Sequence, residues 1–293
     1  MQNRIPRRII QTGKSTHQSL RNRAMMANIR LLNPDHEYLF FDDAQVENFV
    51  GREFPQYWPA FNGFPFRIQR YDFFRYLAVY HYGGFYFDLD VLLASSVSGL
   101  TEHQCVFPFE GFTVSRFMRE DLSTDWLIGN YAFGAVPGHP FLEAIIENCV
   151  RGLKDPTWVK PMMRGSPPLM GDEFFVLNST GPGLVSRTLA ENRDLAKTVT
   201  VLFPDDVCDP QNWNLFGEWG VHLVSNSWRP NRSFIRQKFS DYYWRWIDHR
   251  NLKDSVRRGK HRYHPGGKTI SGKPLCGAAL ALVDCDQSSA PHT

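Results

Sequence analysis

The sequence predicts an α/β fold with a mostly parallel sheet flanked by helices. Short runs rich in β-branched and aromatic residues, such as "RRIIQT" and "EYLFFDD", alternate along the chain with segments of helical periodicity. The 293 residues are enough for one large domain or two small ones. Ligands of such sheets bind beyond the carboxyl ends of the strands, so we expect the functional residues there.

The N-terminal segments predict a strand, a helix and a second strand. Arg7–Thr12 is a β-branched run that turns polar at Gly13, which is typical of a buried strand ending in a loop. Ser19 to Leu31 has helical periodicity, and "NPDH" ends this helix. The run "EYLFFDD" then predicts the second strand.

The clearest helix is Gln69–Tyr82, whose apolar residues form one broad stripe. Gly83 and Gly84 can supply the left-handed cap that ends it, and a strand, "FYFDLDV", follows at once. Later, "GNYAFGAVPGHPFLEAIIENCV" predicts a strand, a turn and a helix from about His139. The run "STGPGLVSRTL" predicts a turn before another helix, and "GVHLVSNSW" predicts a strand.

Composition excludes several classes of protein. Hydrophobic residues make up 42% of the chain and charged residues 22%, as in ordinary globular proteins, and the net charge of +3 is too small to argue for nucleic acid. No apolar run approaches the roughly 20 residues that span a membrane. The five cysteines are scattered, and "MQNRIPRRII" lacks the apolar core of a signal peptide. We therefore expect a cytoplasmic protein without a transmembrane segment.

The C-terminal residues form a separate region. Beyond about Arg250, lysine and arginine face little acid, among glycines and prolines. We expect residues 251–293 to be a basic, loosely ordered tail, which could also contact an anionic membrane surface peripherally.

Two carboxylates stand at the end of the strand in "YGGFYFDLDVLL". Side chains alternate along a strand, so Asp88 and Asp90 share one face with Tyr86, about 7 Å apart at their Cβ atoms. Like charges so close to a low-dielectric core repel each other and favour protonation. Either water at a sheet edge or a divalent cation, which prefers oxygen ligands, could offset this repulsion.

Three chemistries use such a pair. A nucleotide-sugar transferase holds a divalent metal with it, and the metal neutralises the leaving nucleoside diphosphate. A phosphohydrolase of the haloacid-dehalogenase type would use Asp88 as its nucleophile. A structural calcium site or a solvated sheet edge is the third possibility. The motif by itself leaves all three open.

The longer segment "YDFFRYLAVYHYGGFYFDLDV" resembles the signature of the DXD-containing sugar-binding glycosyltransferases. This family includes initiating α-1,6-mannosyltransferases, inositolphosphoceramide mannosyltransferases and the glucosyltransferase domains of clostridial toxins. The residues in register with its pattern are Asp72, Arg75, Tyr76, Val79, Gly83, Gly84, Tyr86, Asp88 and Asp90. Blocks from "IPRRIIQTGKS" to "HLVSNSW" are similar to the family in the same order, over about residues 5 to 230.

The resemblance implies a GT-A type nucleotide-diphospho-sugar transferase fold, with its catalytic domain over residues 1–250. It implies a retaining transfer, dependent on Mn²⁺ or Mg²⁺, of a hexose from a UDP- or GDP-sugar donor. The acceptor would be a glycan, a glycolipid or a protein, in surface polysaccharide synthesis. Two departures from the family, Gly13 in place of a tryptophan and Ile10 in place of a histidine, leave the base of the donor open. An inactive sugar-nucleotide-binding protein is therefore a further alternative.

The resemblance also assigns roles to single residues. Asp88 and Asp90 are the implied catalytic carboxylates, and with His222 they are the implied metal ligands. The i, i+3 spacing of Asp72 and Arg75 alone would predict a surface ion pair, but the resemblance makes them the pair that binds donor hydroxyls. Asn130 and the pair Asp172–Glu173 are candidates for the face of the sugar opposite the leaving group. The remaining implied substrate-binding residues are Thr12, Gly83, Gly84, Gly181, Ser227 and Trp228.

Overall fold

A computed structural model describes residues 4–166, 170–204 and 209–224. The strands in these ranges are β1 Arg8–Thr12, β2 Glu37–Phe41, β3 Gly84–Phe87, β4 Val91–Leu93, β5 Cys105–Phe112, β6 Trp126–Ile128, β7 Ala132–Ala135, β8 Thr200–Leu202, β9 Leu215–Phe216 and β10 Gly220–His222. The α-helices are α1 Leu20–Leu32, α2 Asp43–Glu53, α3 Trp58–Gly63, α4 Arg67–Tyr82, α5 Arg116–Glu120, α6 Pro140–Lys154, α7 Pro156–Val159, α8 Gly171–Ser179, α9 Pro182–Glu191 and α10 Arg193–Ala196. Short 3₁₀ helices cover Pro55–Tyr57, Val97–Glu102, Lys160–Met163 and Pro210–Asn212.

The fold is built on a central sheet with the strand order β2-β1-β3-β7-β5-β6, and β8 pairs with β5. The ladders β1–β2, β1–β3 and β5–β8 are parallel, whereas β7 runs antiparallel to both its neighbours and β6 runs antiparallel to β5. A second, antiparallel sheet has the order β4-β10-β9. The predicted α/β class is confirmed. The neighbouring strands β2, β1 and β3 are parallel, so their carboxyl ends lie at the same edge of the sheet.

Local sequence explains where the main helices begin and end. The Ser19 side chain accepts a hydrogen bond from the Asn22 backbone at the start of α1, so the predicted first helix is confirmed. The predicted helix Gln69–Tyr82 is also confirmed, as α4. Gly83 ends α4 with a φ of 65°, a conformation that favours glycine, and its N–H donates to the Val79 carbonyl.

The core lies on both faces of the central sheet. Alternate residues of β1 and β3 face opposite ways, so Ile10 and Tyr86 join one apolar cluster and Ile9 and Phe85 join the other. The buried face of α4 belongs to the first cluster, and Ile29 of α1 belongs to the second. Within the described residues, no helix has the length and apolar character that crossing a membrane requires.

The strand that carries the aspartate pair is shorter than predicted. β3 ends at Phe87, and Asp88 to Asp90 form a turn before β4. In this turn the Asp88 N–H donates to the Tyr131 carbonyl at 2.7 Å, and the Val91 N–H donates to the Asp88 carbonyl at 3.2 Å. The prediction of two aspartates on one extended strand was therefore wrong, because the chain leaves the central sheet here to pair with β10.

Candidate active site

The candidate site lies at the carboxyl ends of β1 and β3, where a ligand of parallel strands is expected. Ile10 pairs with Tyr86, which places Thr12 at the same edge as Asp88. The Gln11 side chain crosses between the strands and donates to the carbonyls of Phe87 and Asp88 at 3.3 and 3.4 Å. The predicted position of Thr12 at this edge is thus consistent with a substrate-binding role.

Three side chains form a candidate metal centre at this edge. Asp88, Asp90 and His222 each offer one ligand atom, and these atoms lie within 4.8 Å of one another. Two carboxylate oxygens and one imidazole nitrogen form a donor set that suits Mn²⁺, so these residues fit the cation that the sequence predicts. The turn after β3 thus brings together the carboxylates that an extended strand would have held apart.

The small antiparallel sheet β4-β10-β9 positions His222 at the site. His222 is paired with Val91 in the β4–β10 ladder, next to Asp90, and its Nε2 is 3.3 Å from Asp90 Oδ1. The Tyr131 ring stacks on the imidazole, with centroids 4.3 Å apart and an interplanar angle of 17°. Burial opposes protonation of His222, but the hydrogen bond and charge of Asp90 outweigh it and raise the pKa of the imidazole.

Arg75 connects the metal centre to α4. Its guanidinium forms two parallel contacts with the Asp88 carboxylate, at 3.2 and 3.1 Å, and one with Asp72 at 3.3 Å. It also donates to the Asn130 carbonyl at 2.7 Å and lies 4.7 Å from the centre of the Tyr86 ring. Asp72 and Arg75 therefore do form an ion pair, but a buried one within a larger network rather than a pair on the surface.

The other side of this network holds Asp72 in place. One Asp72 oxygen accepts from the Asn130 amide at 3.2 Å, and the other accepts from the Thr180 hydroxyl at 2.9 Å. Asn130 also donates to the Tyr76 hydroxyl, which in turn donates to the Thr180 carbonyl. Gly181 is the N-cap residue of α9, directly after Thr180. Two predicted substrate-binding residues, Asn130 and Gly181, are thus brought to the Asp72 side of the site.

Burial raises the pKa of two carboxylates of this site, Asp72 and Asp88. Burial raises the pKa of Asp72 to about 6, although Arg75 and the hydroxyl of Thr180 oppose this. Burial and the neighbouring charge of Asp90 raise the pKa of Asp88, while Arg75 opposes this too. Asp72 and Asp88 share the single guanidinium of Arg75, with Asp90 close by, and a divalent cation bound at Asp88 and Asp90 would offset the remaining negative charge.

Some predicted residues lie away from this cluster. The structure does not bring Gly83 and Gly84 to the site, because they stand at the opposite end of β3 and pack closely against Pro6, Pro137 and the backbone of Arg8. At the first turn of α8, Asp172 is exposed and Glu173 is buried. Ser227 and Trp228, like residues 251–293, lie outside the described residues, so their roles stay predictions.

Other residues of the site were not predicted from the sequence. Gln11 ties the ends of β1 and β3 together, and Tyr131 stacks on His222. Tyr86, by contrast, was predicted to share a face with Asp88, and its hydroxyl donates to that carboxylate at 2.8 Å. Gln11 directly follows the apolar residues Ile9 and Ile10 in a strand that the sequence predicts to be buried, and this is the one signal that could have pointed to it. Tyr131 carries no such signal, since a tyrosine beside a strand is most often part of the core.

Comparison with known proteins identifies the segment that holds these elements. Residues 19–107 match the family model described as a glycosyltransferase sugar-binding region containing a DXD motif. This part of the chain is similar to that sugar-binding region. It includes α4, β3 and the aspartate turn, so the resemblance on which the site residues were predicted is confirmed.

Part of the chain is also similar to proteins with known names. The chain is 33% identical over 150 residues to inositol phosphoceramide mannosyltransferase 2 of Schizosaccharomyces pombe, covering 51% of this chain and 40% of that protein. It is 28% identical over 155 residues to mannosyl phosphorylinositol ceramide synthase CSH1 of Saccharomyces cerevisiae, covering 53% and 34% of the two chains. The chain thus spans less than half the length of these relatives.

Among solved structures, the PaToxG glycosyltransferase is similar with a TM-score of 0.41 and 16% identity, over 65% of this chain and 70% of that one.

Proposed function

We propose that the chain is a metal-dependent glycosyltransferase that moves a hexose, with mannose as the first candidate, from a nucleotide-diphosphate sugar to a glycolipid. One observation carries this proposal: the Asp88–Asp90–His222 cluster lies directly beside the Asp72–Arg75 pair. A metal site for a diphosphate and a polar pair for sugar hydroxyls are the two halves of a nucleotide-sugar site, and here Asp88 belongs to both.

Each residue has a role in this proposal. Asp88, Asp90 and His222 would hold Mn²⁺ or Mg²⁺, which supplies neutralisation of the diphosphate leaving group. Asp72 is oriented by Thr180 and Asn130 so that its carboxylate stays aimed beside Arg75, toward the donor sugar. The α/β sheet with the aspartate turn at its carboxyl edge supports the GT-A type fold that the resemblance implies.

The acceptor is proposed from the relatives. The names of the similar proteins include inositol phosphoceramide mannosyltransferases, which favours a glycolipid over a glycan or protein acceptor. Synthesis of surface polysaccharide and a cytoplasmic location, peripheral to the membrane, stay predictions. A GDP-sugar donor is the first to test for a mannosyl transfer, and UDP-hexoses follow.

The test combines donor binding with turnover. Thermal unfolding of the chain is followed with GDP-mannose and with UDP-hexoses, with and without Mn²⁺, and release of nucleoside diphosphate is measured with a phosphoinositol-containing glycolipid as acceptor. A donor at about 100 times its Kd stabilises the native state by roughly 2.7 kcal/mol. We expect a shift with one donor that requires Mn²⁺ and is lost in Asp90→Asn.

Asp194→Asn is the matched control, because Asp194 is an exposed aspartate on α10 that pairs only with Lys197 among the described contacts. This variant should bind and turn over the donor as the wild type does. Mn²⁺-dependent binding without any turnover would favour the inactive sugar-nucleotide-binding protein. No donor binding, together with a trapped aspartyl-phosphate at Asp88, would replace the proposal by the phosphohydrolase.

A further inference from the structure

Glu110 is an acidic residue near the candidate metal centre that the sequence did not single out. It lies in β5, whose other seven residues are all buried, and it is the half-buried exception. The β5–β6 pairing shifts register between Phe109 and Gly111, so Glu110 is the extra residue of a β-bulge. Bulges re-aim a side chain next to active sites, and this one gives Glu110 a direction that a regular strand would not.

The bulge aims the Glu110 carboxylate at the loop that joins both halves of the site. A Cβ atom on Gly129 would stand 2.3 Å from Glu110 Oε2, so the carboxylate occupies the space that any larger residue would need. The next two residues are Asn130, which holds Arg75 and Asp72, and Tyr131, which stacks on His222. Glu110 is thus packed against the segment that supports the metal-binding histidine.

His222 has a ring nitrogen that needs a partner. Nε2 faces Asp90, whereas Nδ1 is buried and makes no hydrogen bond with the residues that the structure describes. A histidine that binds a metal through one nitrogen ordinarily donates the other N–H to a carboxylate, a carbonyl or water, which fixes the tautomer and the ring orientation. Glu110 reaches this ring by way of Tyr131: a Cβ atom on Gly129 would stand 2.3 Å from Glu110 Oε2 and 2.7 Å from the Tyr131 ring, and that ring stacks on His222.

We propose that Glu110 is a positioning residue of the metal centre: its carboxylate accepts the Nδ1–H of His222 through one bridging water molecule, and so presents Nε2 to the divalent cation. This inference rests on the proposed function, since it assigns a partner to one of the proposed metal ligands. Tyr131 fixes the plane of the imidazole by stacking, and Glu110 fixes its tautomer. The two residues therefore act on the same ring in complementary ways.

The test is a double-mutant cycle read out by Mn²⁺ affinity, measured from the electron paramagnetic resonance signal of free Mn²⁺ without donor or acceptor. We expect Glu110→Ala to weaken Mn²⁺ binding about tenfold, as for other partners of metal-binding histidines. Because Glu110 acts through His222, the double variant with His222→Ala should bind Mn²⁺ as His222→Ala alone does, within about twofold. Glu147→Gln removes an exposed carboxylate on α6 and should change nothing.

The outcomes separate this inference from the function on which it rests. A wild-type chain that binds no Mn²⁺ overturns the proposed function itself. Mn²⁺ binding that is unchanged in Glu110→Ala, or effects of Glu110→Ala and His222→Ala that simply add, overturn only the role of Glu110. Glu110→Gln, which is close to isosteric, carries the same test where the alanine variant does not fold. If neither variant folds, Glu110 is a structural residue and the inference fails.

Discussion

Arg75 and Arg187 are two buried arginines in very similar surroundings. Their side chains are 5% and 6% exposed, and each guanidinium lies over an aromatic ring, Tyr86 for Arg75 and Trp158 for Arg187. Each also donates to a buried backbone carbonyl. What differs is the number of carboxylates around them, and this difference separates a functional site from a structural one.

Arg187 has one acidic partner on its own helix, Glu191, at 2.8 Å. Burial outweighs this partner and lowers the pKa of Arg187. Arg75 faces Asp72 from its own helix and Asp88 from the turn after β3. Burial opposes its charge, but Asp88, Tyr86 and Asp72 together outweigh burial and raise the pKa of Arg75. The Arg187 pair balances itself, whereas the Arg75 network holds an excess of negative charge that a bound cation or substrate would use.

The largest difference between the two arginines should appear in the free energy of unfolding when each guanidinium charge is removed. Arg75→Met leaves the buried Asp72 and the half-exposed Asp88 without their cation, so we expect the free energy of unfolding to fall by about 3–5 kcal/mol at pH 7. Arg187→Met leaves the half-exposed Glu191 and one buried carbonyl, and we expect a fall of about 1–3 kcal/mol. Urea unfolding of both variants measures the difference. Equal losses would mean that the surrounding carboxylates do not distinguish the two sites.

The pH dependence of the free energy of unfolding tests the same comparison at Asp72. Its pKa of about 6 in the folded protein lies above the ordinary 3.8, so the stability that its proton provides is present below pH 4 and is lost as the pH rises through 6. The gap of about 2 pKa units corresponds to roughly 3 kcal/mol. Asp72→Asn should remove this dependence from urea unfolding between pH 4 and 7.5. Glu147→Gln, an exposed control, should keep the wild-type slope, and an unchanged slope in Asp72→Asn would contradict the raised pKa.

Arginine-to-lysine changes test function rather than stability. Lysine keeps the charge but cannot form the two parallel contacts that Arg75 makes with Asp88, so we expect Arg75→Lys to lower donor-dependent turnover about 100-fold. Arg187→Lys lies outside the candidate site and should stay within about twofold of the wild type. Turnover measured with saturating Mn²⁺ and donor decides this. Similar losses in both variants would place Arg187 in the functional network as well.

The smallest effect concerns the hydroxyl that supports Asp88. Tyr86→Phe keeps the ring under Arg75 and removes the hydrogen bond to Asp88, so we expect a loss of about 1–2 kcal/mol in unfolding free energy. Tyr80→Phe is the control, because its hydroxyl makes only a long, exposed contact of 3.4 Å with Glu143. A loss in Tyr86→Phe no larger than in this control would show that Asp88 is held by Arg75 alone.

Much of the architecture was predictable because it depends on local patterns. The helix over residues 69–82, its glycine end and the first two strands follow from hydrophobic periodicity and from glycine's access to positive φ. The aspartate turn was missed because "FYFDLDV" continues the strand alternation past Phe87. The signal that ends β3 is the pairing of β4 with β10, which no local pattern contains.

In the candidate site, too, some features follow from local sequence and others depend on tertiary contacts. The pair Asp72 and Arg75 on one helix face and the carboxylates Asp88 and Asp90 could be found from local sequence, because these relations span only a few residues. His222 was named as a metal ligand through the family resemblance, but its route to Asp90 is visible in the three-dimensional fold alone, because the two strands that bring it there have three residues each and are too short to show periodicity. The tertiary structure also decided that Glu110 points toward Gly129, because a bulge is a mismatch between two strands and neither strand contains it alone.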